Sequence, residues 1–305
     1  MTKAKAKFIE LNRLEKMRAE RINYIGSTDA AAILGLSRWR TRLQVWAEKT
    51  ELIKPEDISK ELRVRLGIKQ EQIVAELFEE ETGKKVQRMN ETVYHPDYNF
   101  LAANIDRRVV GEDSLLECKT TSTWHSKEWE GEEIPQEYIV QCYHQLLITG
   151  KSKVYLAGLI GNEKFVIKEI ERDGDVIESL KKKELDFWLN FVVKKIQPKE
   201  IVAKDDEVLN KIYPQAELGT CIELSLEINK DIDLMNQYKN EIKVLDNKVS
   251  EIKNKLKSMI GFNEYGDSGN YIIHWSNIHK SAYTVAEKDY RELRIKVKEI
   301  KNEEV

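Results

Sequence analysis

The chain has 305 residues, 34% of them charged and 41% hydrophobic, and a net charge of −3. That length allows one large domain or a domain with an extension, and no apolar run approaches the roughly 20 residues a membrane span requires. The three cysteines, Cys118, Cys142 and Cys221, are too dispersed for a zinc ribbon or an iron–sulfur cluster, and an odd, scattered set points to reduced thiols in a cytoplasm.

Residues 5–21 are predicted to be helical, with Phe8, Leu11, Leu14 and Met17 near one face. The amino-terminal segment has no apolar core of the kind a signal peptide carries. It is basic instead: Lys3, Lys5, Lys7, Arg13, Lys16, Arg18 and Arg21 form a local positive patch on a mildly acidic protein, which suits an enzyme that must grip and release nucleic acid. Ile25-Gly26-Ser27-Thr28-Asp29 breaks that helix and caps a short one over 30–34, stopped by Gly35. Arg38, Arg40 and Arg42 alternate around Trp39 and Thr41, and Thr41 caps a helix carrying Leu43, Val45 and Trp46. A longer helix is expected over 59–82, ending at Gly83.

A β-rich block follows at 86–94, 100–110 and 115–120. Next come a helix over 135–148, a strand pair at 154–160 and 164–171 around Gly161-Asn162, and a helix over 175–195. The pattern predicts an α/β (α+β) domain over 1–204, with a central mixed sheet flanked by helices. Pro198 and the acidic run Asp205-Asp206-Glu207 mark its end. In 205–305, Tyr238, Ile242, Leu245, Val249, Ile252, Leu256 and Met259 alternate spacings of four and three. That is about three heptads of coiled-coil seam. A strand over 271–275 and a charged helix from Val285 complete the extension. A seam this short needs a partner surface: the helix from Val285 in its own chain, a second copy in a homo-oligomer, or a partner protein.

The chemistry lies at 102–119. Two strand-like runs joined by Gly-Glu-Asp-Ser form a hairpin signal, with Asp106 on one strand and Glu117-x-Lys119 on the other. Side chains alternate along a strand, so Glu117 and Lys119 share a face while Leu116 and Cys118 point the other way. Two carboxylates and a lysine on adjacent strands are a kit for phosphodiester hydrolysis. The carboxylates hold a hard divalent cation, and the lysine orients or helps deprotonate the attacking water. Pro96-Asp97 reads instead as a turn. None of the five histidines forms an H-x-x-x-H or Ser/Asp-linked arrangement, so a histidine mechanism is not expected. Gln141 and Gln145 lie one helical turn apart, with Tyr138 a turn earlier.

The ordered set Gly67-x-x-x-Glu71, Asp106, Glu117-x-Lys119 and a helical Gln141 resembles the restriction-endonuclease-like, PD-(D/E)xK nucleases. Within them it is most similar to the YqaJ viral recombinase family, which includes the phage-lambda-type exonucleases. The run Ile25 to Trp39 looks like that family's first signature, and Tyr138 to Gln145 with Thr149-Gly150 its last. The likeness covers roughly residues 20–195. It implies a restriction-endonuclease-like core and Mg²⁺, or alternatively Mn²⁺, bound by Glu71, Asp106, Glu117 and the Cys118 carbonyl. It further implies a water-activating Lys119, a positioning Gln141, and Arg21 with Thr28 on a DNA 5′-phosphate. Arg38, Trp39, Tyr138 and Gln145 are further candidate DNA contacts. Ile105 replaces the motif proline, and Arg107 stands where a small residue is frequent. The function implied is a cytoplasmic, phage- or prophage-encoded exonuclease in a bacterial host, degrading linear double-stranded DNA 5′→3′. Its 3′ strands would pass to a RecT-like annealing protein. The alternatives are a structure-selective or nicking endonuclease of the same fold, and a non-catalytic DNA-end-binding assembly factor.

Overall fold

In the computed structural model the described residues are 19–282, 287 and 291–295. Most of the predicted amino-terminal basic helix therefore lies outside them. So does most of the helix expected from Val285, and the described residues of that segment, 287 and 291–295, are not helical. The chain divides into two compact units that meet after Pro214.

The first unit opens with short helix α1 (Ser27–Ile33), α2 (Arg42–Lys49) and the long α3 (Leu62–Thr82). Thr41 caps α2 by accepting the Gln44 N–H at 3.1 Å. Gly83 ends α3 in the left-handed region at φ 70°, where a side chain would be strained. Strands β1 (Val86–Arg88), β2 (Thr92–Tyr94), β3 (Ala102–Asn104), β4 (Arg107–Val109) and β5 (Ser114–Thr121) follow. Helix α4 (Gln136–Thr149) leads to β6 (Lys153–Ile160) and β7 (Lys164–Glu171). The five-stranded sheet has the order β1-β4-β5-β6-β7, antiparallel except for the parallel β5–β6 pair that α4 connects.

The two long strands expected at 86–94 and 100–110 are each broken. β2 and β3 pair in a separate small sheet, while β1 and β4 join the main one. Neither run carries a proline or glycine at its break, so the sequence does not mark the change of sheet. The break between β3 and β4 matters most, because it leaves Asp106 outside the ladder.

Helix α5 (Gly174–Asp186) continues as a π-helical segment (Phe187–Val192) rather than as one α-helix to 195. Trp46 explains the wider turn in part: its indole N–H takes the Phe191 carbonyl at 3.1 Å, while Arg42 lies over the Phe187 and Phe191 rings. The first unit also keeps α6 (Asp206–Ile212), whose Val208 is buried in the main core. That places its end ten residues beyond the composition boundary at 204.

The sheet separates two cores. Leu115, Val154, Leu156 and Ile160 pack with α4 and α1 on one face, and Leu116, Tyr155 and Ala157 pack with Val74, Ala75 and Phe78 of α3 on the other. Trp129, fully buried, lies against Gly158 so closely that a Cβ there would sit 2.7 Å from its ring. Gly158→Ala is expected to cost about 1–3 kcal/mol through overpacking. For a unit of this size that lowers the thermal midpoint by roughly 2–4 °C per kcal/mol, which calorimetry would register.

The second unit contains α7 (Ile228–Ile260) and the hairpin β8 (Tyr265–Asp267) with β9 (Ile272–His274). Helix α7 includes the whole predicted heptad seam and starts ten residues earlier. Its Tyr238, Ile242, Leu245, Val249 and Ile252 are exposed.

Candidate active site

Asp106 and Glu117 come together because β4 and β5 pair as Arg107↔Leu116, which sets the next residues opposite each other. The ladder ends there, and the Asp106 carboxylate accepts the Cys118 N–H at 2.9 Å in place of a strand partner. A residue's N–H and C=O leave a strand on the same edge, so the Cys118 carbonyl also faces Asp106. Glu117, on β5, is buried and held by three donors. Lys119 Nζ and Gln141 Nε2 donate to one oxygen at 2.6 and 2.5 Å, and Gln145 Nε2 donates to the other at 2.5 Å. Lys119 also donates to the Gln141 carbonyl oxygen at 2.8 Å, which closes a ring of three side chains. Tyr138 covers the lysine, with Nζ 5.0 Å from its ring centre, and is itself backed by Trp129.

The electrostatics of this cluster are unusual. Burial together with the neighbouring Glu117 and Glu71 carboxylates pushes the Asp106 carboxyl well above the usual range. Burial works to discharge Lys119, but Glu117 and Asp106 outweigh it and hold the ammonium above its ordinary range. Lys119 is therefore a cation at neutral pH. That charge suits it to orient water and to face phosphate oxygens.

Not every predicted site residue fills its expected place. The Glu71 carboxylate sits on Arg107 Nη1 at 2.5 Å rather than beside Glu117. Gln145, a candidate DNA contact, is wholly buried behind Glu117 and donates to that carboxylate instead of facing solvent. Arg38 is neutralised by Glu128 and Glu137, at 2.6 and 2.5 Å, and fastens the segment Thr123–Trp129 to α4; it is a strut. Trp39 is exposed, with the Arg63 guanidinium over its ring at 5.1 Å, and stays available to a nucleic acid. Arg21 donates directly to the Thr28 hydroxyl, so the two candidate phosphate-binding side chains lie together. Asp29, read only as part of a cap, anchors that pair. Fully buried, it accepts the Gly26 N–H at 3.1 Å, pairs with Lys49 at 2.9 Å and with Arg40, and lies 3.5 Å from Arg21.

The donor set fits a hard divalent cation. Asp106, Glu117 and the Cys118 carbonyl offer the oxygen ligands such an ion takes. Among the described residues, no three carboxylate, imidazole or thiol side chains gather closely enough to cage a metal on their own. Open coordination positions would then fall to water and substrate.

The sheet and its flanking helices have a fold of the lambda-exonuclease type. The chain is similar to the crystal structure of an alkaline exonuclease (LHK-Exo) from Laribacter hongkongensis, at 22% identity and TM-score 0.52, over 60% of this chain and 94% of that one. The same exonuclease in complex with dAMP matches at 22% identity and TM-score 0.52, over 65% and 96%. A YqaJ-like viral recombinase domain is matched by residues 15–152. The uncharacterized protein YqaJ of Bacillus subtilis (strain 168) is 40% identical over 276 residues, which are 90% of this chain and 86% of that protein. The chain belongs to the YqaJ family. Among the described residues no helix is long and apolar enough to cross a membrane.

Proposed function

We propose that the chain is a metal-dependent deoxyribonuclease that degrades linear double-stranded DNA from its 5′ ends, in the service of phage-type recombination. The observation that carries this reading is the ring of Glu117, Lys119 and Gln141 beside Asp106, at the point where the β4–β5 ladder opens. A divalent cation on Asp106, Glu117 and the Cys118 carbonyl, Mg²⁺ by family resemblance, would supply acidity to a bound water and offset charge on phosphate. Lys119 places its ammonium where negative charge grows on the phosphorus oxygens. Gln141 fixes both Lys119 and Glu117, so neither has to reorganise during the reaction. Tyr138 and Trp129 wall off bulk water on one side of the lysine. The product, a 3′ single strand, is suited to a RecT-like annealing protein, the partner that family resemblance implies.

Comparing a linear duplex with the same DNA as a closed circle tests the reading. Consumption of the linear form alone, stopped by a chelator, is the expected result. Cutting of the circle would make the chain an endonuclease, and no cutting of either would make it a DNA-end-binding factor.

Direction rests on Arg21 and Thr28, whose guanidinium and hydroxyl meet at the start of α1. A charge-assisted contact to a 5′-phosphate is worth ~1.5–3 kcal/mol, so Arg21→Ala should slow digestion of phosphorylated ends by roughly tenfold or more. Ends carrying a 5′-hydroxyl should be digested at nearly the wild-type rate. Equal slowing of both would reduce Arg21 to a general backbone contact.

A further inference from the structure

Glu71 and Glu117 approach the site from opposite faces of the sheet. Glu117 projects toward α4, where Gln141 and Gln145 donate to it. Arg107, the next residue after Asp106, projects the other way, toward α3, and meets Glu71 there. Arg107 is buried, and its fork of donors is well used. Nη1 donates to Glu71 at 2.5 Å and to the Asp106 carbonyl at 2.7 Å, and Nη2 donates to the Gln72 side-chain oxygen at 3.2 Å. A guanidinium keeps its charge under all ordinary conditions, so Glu71 is permanently paired in this arrangement.

A second divalent ion at Glu71 would have to displace Arg107 from it, leaving a buried guanidinium without its carboxylate.

We propose that Arg107 takes the place of a second cation at Glu71, so that the site loads one divalent ion, on Asp106 and Glu117. This rests on the metal-dependent reading above.

The test is a Mn²⁺ titration of the full-length chain near neutral pH without DNA, following free Mn²⁺ by electron paramagnetic resonance. The expected result is one ion per chain, and two ions would overturn the proposal. Glu71→Gln should leave the wild-type affinity unchanged within about twofold, and a loss of tenfold or more would show that Glu71 is a ligand after all. Arg107→Met should admit a second ion; a well-folded variant that still takes one would show that Arg107 is not what excludes it. If that variant does not fold, the wild-type stoichiometry and Glu71→Gln decide the question. Failure of the wild-type chain to bind any Mn²⁺ is a different outcome, because it removes the metal-site reading itself.

Discussion

Glu117→Ala is expected to lose nearly all cleavage, by roughly 10²–10³-fold or more, the range associated with removing one preorganised electrostatic group. Glu117 is the hub of the cluster, since Lys119, Gln141 and Gln145 all donate to it. Its removal takes away a cation ligand and leaves Lys119 without its main counter-charge. Asp106→Ala and Lys119→Ala should fall by similar factors for different reasons, the first by losing an oxygen ligand and the second by losing the charge that faces the phosphate. DNA affinity should be largely kept in both carboxylate variants, because each removes a negative charge that repels phosphate. Single-turnover rates at saturating DNA, measured beside a binding isotherm, separate the two effects. Robust cleavage by Glu117→Ala would place the chemistry elsewhere on the chain.

The features of this site that were legible in the sequence are those set by local geometry. Strand alternation puts Glu117 and Lys119 on one face, a short turn brings Asp106 opposite them, and one helical turn aligns Gln141 with Gln145. The residues whose surroundings were not legible have partners far away in the chain. Arg38 looks like a DNA contact beside Trp39, yet Glu128 and Glu137, about ninety or more positions away in the chain, neutralise it. Glu71 has the spacing of a ligand, but the outcome depends on which way Arg107 points. Gln145 looks like an exposed amide until α4 is laid against β5. In each case the sequence offers a charge or a donor, and tertiary packing decides what it meets. The change of sheet between β3 and β4 belongs with these, since both segments satisfy the same pattern and only the pairing partner differs.

Asp29→Ala should be among the most destabilising single changes in the first unit, by about 3 kcal/mol, the low end of the range for breaking a buried ion pair. The carboxylate is fully buried among Lys49, Arg40 and Arg21, and its loss would leave three cations crowded together. Several compensations keep the cost at the low end. Lys49 retains the Arg21 and Tyr24 carbonyls at 2.5 Å, Arg40 retains Glu48, and Arg21 is half-exposed to solvent. Burial also pulls Lys49 down more than Asp29 raises it, so the pair is worth less than the shift on Asp29 alone suggests. The pH dependence follows from the sign of that shift. Burial would raise the Asp29 carboxyl, but Lys49, Arg40 and Arg21 hold it well below the usual range. A carboxyl depressed in the folded state contributes stability that is complete above its unfolded value, about 3.9, and is lost as pH falls through the folded value. Thermal melts of the wild type and Asp29→Asn should therefore differ most at neutral pH and converge in strong acid. A difference that stayed constant down to the lowest pH at which both fold would mean that Asp29 acts through its Gly26 hydrogen bond and not through its charge. The same residue ties stability to function, because Asp29 lies against the guanidinium that reaches Thr28. In Asp29→Asn the preference for 5′-phosphorylated ends should weaken along with the melting temperature, whereas Glu117→Ala should spare both Arg21 and the preference.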